Sequence, residues 1–155
     1  MLDRRETLLA RSGEAYRRCF GCGSENPIGL RLQFEPADGG AKAEFRPRPE
    51  YQGWDGMLHG GIILTLLDET LAYAALFAAG PAVTAEVQAR LRRPAPLDQT
   101  YTLFGQVTKR RLGMVQARGT IADSSGAVIA EAEGKFMLIE ESRIQNPESR
   151  RRDGP

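Results

Sequence analysis

One apolar segment limits the possible folds of this chain more than any other feature. Residues 62–79 read IILTLLDETLAYAALFAA and contain no glycine, proline or lysine. The segment follows His59-Gly60-Gly61 and ends at Gly80-Pro81, so the pattern predicts one long α-helix with a defined start and stop. Apolar side chains occur nearly all round this helix, which we therefore expect to be buried on most sides.

Strand patterns lie on both sides of the predicted helix. Two alternating runs, residues 30–34 and 41–45, are separated by Ala37-Asp-Gly-Gly40, which predicts a β-hairpin. Four more strands with hairpin-length turns are predicted after the helix, over residues 83–92, 101–108, 114–122 and 127–139. The order β-β-α-β-β-β-β predicts an α+β domain in which one face of an antiparallel sheet covers the helix.

Length and composition are those of one globular domain. The chain has 155 residues, of which 41% are hydrophobic and 26% charged, and this excludes a largely disordered protein. We expect an N-terminal arm or short helix over residues 1–18, the folded domain over 19–140, and a disordered charged tail over 141–155.

Charge and cysteine content indicate which partners and which compartment to expect. Lys and Arg number 21 against 20 Asp and Glu, so we expect no nucleic-acid partner. We also expect no apolar run as long as the roughly 20 residues that span a bilayer, and hence no membrane partner. The N-terminus lacks the apolar region of a signal peptide. Two cysteines without an export signal then predict reduced thiols and a cytoplasmic protein.

Asp68 is the candidate catalytic residue of the predicted helix. Its neighbours on the helix surface are apolar: Leu64, Leu71, Ala72 and Ala75. A carboxylate in such surroundings is costly unless it is paired, protonated or used in chemistry. It is therefore either a general base or nucleophile in an apolar cleft, or a carboxylate satisfied by a hydroxyl or arginine of the sheet. Glu69 instead shares one line of the helix with Thr65 and Tyr73, which favours a structural role.

His59, Gly60 and Gly61 lie where the first backbone N–H groups of the helix have no partner within it. Such N–H groups, with the positive end of the helix dipole, can hold a carbonyl oxygen that becomes negative in acyl transfer. Gly60 and Asp68 are eight residues apart in sequence, or about 12 Å along a helix. One helix cannot bring both to one reacting carbon, so joint action predicts two antiparallel helices in a two-fold dimer.

The run His59-Gly-Gly-Ile-Ile-Leu-Thr-Leu-Leu-Asp68 resembles the hotdog-fold acyl-CoA thioesterases of the phenylacetic-acid (PaaI-like) type. The resemblance covers roughly residues 19–139 and includes these further segments: Cys19-x-x-Cys22-Gly, Asn26-Pro-x-Gly-Leu30, Ala82-Val-Thr-Ala-Glu-Val, Arg92-Arg-Pro94 and AEAEGKF. It implies a hotdog fold, with an antiparallel β-sheet wrapped around one long central helix. It also implies hydrolysis of an acyl-CoA thioester to free acid and CoA.

The resemblance further implies roles for three residues around the helix. Asp68 corresponds to the family's helix carboxylate, the general base or nucleophile. Gly60 corresponds to the residue whose backbone N–H polarises the thioester carbonyl, and His59 to the neighbour that helps to position the substrate.

Residues on either side of the helix are implicated in the same way. Thr84 falls where relatives have a Ser or Thr that orients the attacking water, although its strand parity is that of the polar face. Gly61 is expected to contribute to substrate binding. Relatives often have an asparagine six residues before the histidine, where this chain has Gly53, and Gln52 could take its place.

Basic residues gather at the predicted strand ends: Arg90, Arg92, Arg93, Lys109, Arg110 and Arg111. They are either a solvated face or a clamp on the phosphates of CoA. CoA would enter as part of the acyl-CoA substrate, and no cofactor is expected.

Cys19 and Cys22 have the spacing of metal ligands. A structural zinc site needs four ligands, however, and the chain has a single histidine. Ordinary loop cysteines and no metal are therefore expected, with a Cys₄ site completed by a second chain as the alternative.

Two other functions remain open. A non-catalytic acyl-CoA-binding protein is favoured by the missing asparagine. An enoyl-CoA hydratase of the same fold would use an Asp and a His at the helix start, which Asp55 and His59 fit loosely. In each case the expected assembly is a homodimer or a dimer of dimers.

Overall fold

The long apolar helix is present and packs against one face of a six-stranded antiparallel sheet. The structure, a computed structural model, describes residues 16–140. Most of the predicted N-terminal arm and the whole predicted tail lie outside the described residues. The elements are β1 (Glu35–Ala37), β2 (Gly40–Phe45), α1 (Gly60–Ala79), β3 (Ala82–Leu91), β4 (Tyr101–Arg111), β5 (Met114–Ala122) and β6 (Val128–Leu138).

The strands are arranged in the order β1-β2-β4-β5-β6-β3, and every neighbouring pair is antiparallel. α1 packs against β2, β3, β4, β5 and β6. A one-turn 3-10 helix, Pro49–Tyr51, lies between β2 and α1. The predicted α+β architecture, with a sheet around one central helix, is confirmed.

α1 begins at Gly60, two residues before the predicted start, and ends at Ala79 as predicted. Gly80 closes it with a positive φ of 118° and donates its N–H to the carbonyls of Ala75 and Leu76. By length and composition alone the helix could cross a membrane, so the expectation that no apolar run reaches that length was wrong. In this fold, 56% of an 18-residue apolar stretch of the helix is buried inside the protein.

The first predicted strand, residues 30–34, is not part of the sheet. The segment still buries alternate side chains, those of Leu30, Leu32 and Phe34. Its backbone, however, bonds to a preceding loop, because the N–H groups of Leu30 and Leu32 donate to the carbonyls of residues 20 and 21. The hairpin forms further along the chain, where Asp38 and Gly39 make the turn between β1 and β2 with φ of 39° and 75°.

Small residues let the sheet approach the middle of α1 closely. Gly105 of β4 pairs with Gly119 of β5. A Cβ on Gly105 would lie 2.7 Å from the carbonyl oxygen of Thr70, and one on Gly119 would lie 3.1 Å from the Leu71 side chain. The glycines therefore set the distance between helix and sheet, and with it the position of the helix side chains on either side.

The burial of α1 predicts a large stability difference between two leucine substitutions. Leu66 is fully buried on α1, whereas Leu112 is fully exposed in the turn between β4 and β5. Leu66→Ala should lower the free energy of unfolding by about 2–5 kcal/mol, since it leaves a cavity under the sheet. Leu112→Ala, the matched control, should change it by less than about 0.5 kcal/mol. Urea unfolding at one protein concentration measures both, and similar losses would contradict the central role of the helix.

Candidate active site

The start of α1 presents a backbone donor that no described residue accepts from. His59 is the N-cap, and its Nδ1 accepts a hydrogen bond of 2.8 Å from the N–H of Gly61. The His59 carbonyl accepts from the N–H groups of Ile62 and Ile63 at 3.0 and 3.1 Å. Within residues 16–140, no acceptor is bonded to the N–H of Gly60. Of the two glycines predicted to meet the substrate, Gly60 is therefore the one with an available N–H.

A glycine-containing loop positions His59. The His59 N–H donates to the Tyr51 carbonyl at 2.9 Å, and the Gly53 N–H donates to the Met57 carbonyl at 2.9 Å. Gly53 lies against the histidine, and a Cβ on it would be 3.2 Å from both the Cα and the Cδ2 of His59. The Gln52 side chain accepts from the Gly56 N–H at 3.3 Å. A backbone N–H of this loop, that of Gly56, thus holds the Gln52 side chain. The packing of Gly53 against His59 favours glycine at the position where relatives often have asparagine.

An open cleft of about 580 Å³ lies in front of the helix start. Its lining residues are Gly53, Trp54, Asp55, Leu58, His59 and Gly60. The Trp54 side chain is 88% exposed there, which is a large apolar surface left in water. The cleft therefore offers an apolar wall next to the free N–H of Gly60.

Asp68 is joined to the sheet by one hydrogen bond, in which the Thr84 hydroxyl donates to Asp68 Oδ1 at 2.8 Å. Simple alternation along β3 placed Thr84 on the polar face. The strand contains a β-bulge instead, since Thr84 pairs with Phe136 and Glu86 with Lys135, which leaves Ala85 as an extra residue. The bulge reverses the parity of the strand and turns Thr84 towards the helix, so the two predicted residues meet.

Asp68 lies on a stripe of α1 that the sheet leaves uncovered. Gly60, Leu64, Asp68 and Ala72 follow one another at intervals of four residues along it, and none of them is fully buried. Leu64 is 46% exposed. A chain by itself thus presents both candidate groups, Gly60 and Asp68, on one partly apolar stripe but about 12 Å apart along the helix axis.

Glu69 faces a different part of the molecule. Its carboxyl group shares a hydrogen bond with Cys19, with an Sγ–Oε1 distance of 3.8 Å, and lies beside Cys22. Burial, the nearby Cys19 and Asp68 raise the pKa of Glu69 to about 8. The expected structural role of Glu69 stays a prediction, but its partners were not foreseen. The sequence indicated only that Glu69 and Tyr73 lie on the same face of the helix.

The two cysteines differ strongly in acidity. A hydrogen bond from the Cys22 thiol lowers the pKa of Cys19 to about 5, with backbone N–H groups of Gly21 and Cys22 acting in the same direction. The pKa of Cys22 is raised, mainly because it donates to Cys19 and because it is buried. Cys19 is therefore the thiol that ionises first.

The predicted basic cluster forms two groups rather than one. Arg90, Arg92 and Arg93 lie at the end of β3, where Leu91 adjoins Gly60 at the start of α1. Arg92 pairs there with Glu131. Lys109, Arg110 and Arg111 end β4 near the other end of α1, where Arg110 donates to the Ala78 carbonyl at 3.2 Å. The length of the helix separates the groups, so one chain cannot use them as a single phosphate clamp.

Comparisons with known proteins identify the family. The family described as the Thioesterase superfamily matches residues 55–132, which include part of the cleft lining, the helix and most of the sheet. The chain therefore belongs to the thioesterase superfamily. A segment of 65 residues is 32% identical to the acyl-coenzyme A thioesterase THEM4 of Xenopus laevis, covering 42% of this chain and 29% of that protein.

Solved structures show the same fold. A crystal structure of a thioesterase superfamily protein is 30% identical, with a TM-score of 0.74 over 78% of this chain and 60% of that one. The Escherichia coli PaaI protein from the phenylacetic acid degradation operon is 22% identical, with a TM-score of 0.64 over 70% of this chain and 83% of that one. The hotdog fold implied by the resemblance is thus confirmed. The chain spans less than two thirds of the length of the frog protein and of the first of these structures.

The N-cap geometry predicts how His59 substitutions affect stability. His59→Ala removes the acceptor of the Gly61 N–H and should cost about 0.5–2 kcal/mol of unfolding free energy. His59→Asn, the matched control, keeps a side-chain acceptor at the cap and should retain most of that stability. Thermal and urea unfolding of the two variants measure the difference. An equal loss in both would show that capping is not what His59 contributes to the fold.

Proposed function

We propose that the protein is an acyl-CoA thioesterase that hydrolyses an acyl-CoA thioester to a free acid and CoA. The observation that carries the proposal is the stripe of α1 that has the free Gly60 N–H at one position and the Thr84-bonded Asp68 at another. Membership of the thioesterase superfamily and the name of the frog relative support this substrate class.

In the proposed reaction, Asp68 acts as general base on a water molecule. Thr84 donates to Asp68 Oδ1, which leaves the other carboxylate oxygen to take the proton of the water. The hydroxide attacks the thioester carbon, and the developing oxyanion accepts a hydrogen bond from the Gly60 N–H at the positive end of the helix dipole. When the C–S bond breaks, the thiolate of CoA takes the proton back from Asp68, and the acid is released.

The two groups would come from different chains. The uncovered stripe of α1 and the edge strand β3 both present apolar side chains to solvent, with Leu64 and Leu91 each 46% exposed. A second copy related by a two-fold axis would cover this surface and set the two helices antiparallel. Gly60 of one chain would then face Asp68 of the other, which removes the separation of about 12 Å within one chain.

The same arrangement would bring the two basic groups together. With antiparallel helices, the end of β3 in one chain would lie at the same end of the helix pair as the end of β4 in the other. Arg90, Arg92 and Arg93 would then face the partner's Lys109, Arg110 and Arg111 across one cleft. Arginine binds phosphate through charge-assisted and often bidentate hydrogen bonds, so this cleft suits the phosphates of CoA.

Removal of the base tests the proposed chemistry. Asp68→Asn keeps the shape of the side chain and removes its proton acceptor, so the rate of thiol release from acyl-CoA should fall about 10²- to 10⁴-fold. Glu69→Gln, the neighbouring carboxylate on another face of the helix, should cost much less. Free-thiol detection with a panel of acyl-CoA thioesters measures both variants.

The assay also separates the other two functions. Binding of acyl-CoA without Asp68-dependent thiol release would favour a non-catalytic binding protein. Loss of enoyl absorbance from an enoyl-CoA without thiol release would favour hydration. A greater loss in Glu69→Gln than in Asp68→Asn would show that the wrong carboxylate has been assigned.

Shared sites can be tested with mixed dimers. Gly60→Pro removes the N–H, and proline is well tolerated at this first helical position. The preceding His59 is extended, with ψ of 136°, as a residue before proline prefers. Among residues 16–140, a Cβ at position 60 would meet only Leu91, at 3.5 Å. Gly60→Pro and Asp68→Ala, each inactive alone, should together give mixed dimers with one intact site and one doubly defective site.

Co-expression of the two variants with different affinity tags allows pure mixed dimers to be isolated. Their activity should be about half that of the wild-type dimer, because one of two sites is intact. Gly60→Ala, which keeps the N–H, is the matched control and should remain active as a homodimer. Folded mixed dimers with no activity would refute the assignment of Gly60 and Asp68 to one shared site.

A further inference from the structure

We propose that Cys19, Cys22 and Glu69 bind a zinc ion on the side of α1 that faces the loop before β1. The two thiols and the carboxylate converge there, with one ligand atom of each within 4.8 Å of the other two. Sequence considerations favoured ordinary loop cysteines because the chain has a single histidine. The structure supplies a carboxylate as the third ligand, from a residue 50 positions away in the chain.

The spacing of the three groups is close to that of a tetrahedral zinc site. With Zn–S of about 2.3 Å and Zn–O of about 2.1 Å, sulfur and oxygen ligands lie about 3.6 Å apart and two sulfurs about 3.8 Å apart. The observed distance between Cys19 Sγ and Glu69 Oε1 is 3.8 Å. All three residues are only half-buried, so water can fill the fourth position.

The loop between the cysteines is shaped around the first sulfur. Hydrogen bonding from the backbone N–H groups of Gly21 and Cys22 contributes to the lowered pKa of Cys19. The Gly23 N–H donates to the Cys19 carbonyl at 2.9 Å. Such bonds to a ligand atom orient it and stabilise its anionic form. The short turn therefore holds Cys19 ready as a thiolate ligand.

Gly21 brings this loop against the carboxylate. A Cβ on Gly21 would lie 2.3 Å from Cδ of Glu69, so any side chain at position 21 would displace the third ligand. Gly23 is equally confined, because its Cβ would lie 2.5 Å from the Cys19 nitrogen. The close packing keeps the carboxylate and the two sulfurs in one place.

The cluster brings acidic groups together, and no basic side chain of residues 16–140 forms an ion pair with it. Among the ion pairs of residues 16–140, none includes Glu69. The groups that act electrostatically on it are Cys19, Cys22 and Asp68, while Tyr16 and Tyr73 border the cysteines. A divalent cation would compensate the charge of two thiolates and a carboxylate, and binding would displace their protons. A disulfide would involve only the two sulfurs and would not explain why the Glu69 carboxylate lies against them.

The role of the ion would be structural and independent of the proposed hydrolysis. The site joins the loop before β1 to the middle of α1, and residues 30 and 32 are bonded to the same loop. Zinc would therefore stabilise the position of residues 30–34, the segment that is not part of the sheet.

Cobalt substitution tests the site directly. The full chain, purified in reductant and freed of metal by chelation, is titrated with Co²⁺ and then with Zn²⁺. One equivalent of Co²⁺ should produce thiolate-to-cobalt charge-transfer absorption in the near ultraviolet, and Zn²⁺ should abolish it. Absence of that absorption at saturating Co²⁺ in the reduced protein overturns the proposal. So does a Cys19–Cys22 disulfide in protein that binds no Co²⁺ after reduction.

Variants assign the ligands. Glu69→Gln should weaken Co²⁺ binding by more than the roughly 10- to 100-fold typical of groups that only support a ligand. Cys22→Ser should lose most of the charge-transfer absorption. Asp68→Asn, the adjacent carboxylate outside the cluster, is the matched control and should bind Co²⁺ like the wild type. If Glu69→Gln also binds Co²⁺ like the wild type, the assignment of Glu69 as the third ligand is wrong. This result does not depend on whether Cys22→Ser folds.

Discussion

The burial of one apolar helix governs the rest of this structure. α1 has apolar side chains nearly all round, and its fully buried residues include Leu66, Leu67 and Leu71. Five strands pack against it, and glycines on β4 and β5 allow contact at its centre. A single sheet cannot close completely around a helix, so one stripe stays uncovered. The apolar character of that stripe supports the proposal that a second copy of the chain covers it.

The helix also places two adjacent acids in different chemical surroundings. Successive residues on a helix are about 100° apart, so Asp68 and Glu69 face different neighbours. Asp68 lies on the uncovered stripe with a hydroxyl donor from β3. Glu69 lies against two thiols, where burial raises its pKa to about 8. The first environment gives the carboxylate a hydroxyl donor on an uncovered face, and the second places a carboxylate against two sulfurs.

A single extra residue in β3 decides whether the candidate site is complete. Thr84 and Val87 both face the helix side although they are three residues apart, because Ala85 forms a bulge. Without the bulge, the Thr84 hydroxyl would lie on the outer face with Glu86, which pairs there with Lys135. Bulges next to functional residues commonly redirect a side chain in this way.

The sequence by itself determined the helix, the four strands that follow it and the candidate groups at Gly60 and Asp68. These follow from local periodicity, from turn residues and from the fixed rise of a helix, all of which depend on neighbours in the chain. Even the conclusion that Gly60 and Asp68 cannot meet within one chain needed only the length of a helix.

Tertiary structure alone decided the remaining features. The segment over residues 30–34 has the alternating apolar side chains of a strand, but its backbone N–H groups donate to a loop. Tertiary packing, rather than the local pattern, determines which backbone groups it bonds to. The bulge at Ala85 depends on the register between β3 and β6, and the contact between Cys19 and Glu69 joins residues 50 positions apart. The basic residues divide into two groups because their strands end at opposite ends of α1. Register and long-range packing are set by the whole sheet, so no local pattern in the sequence specifies them.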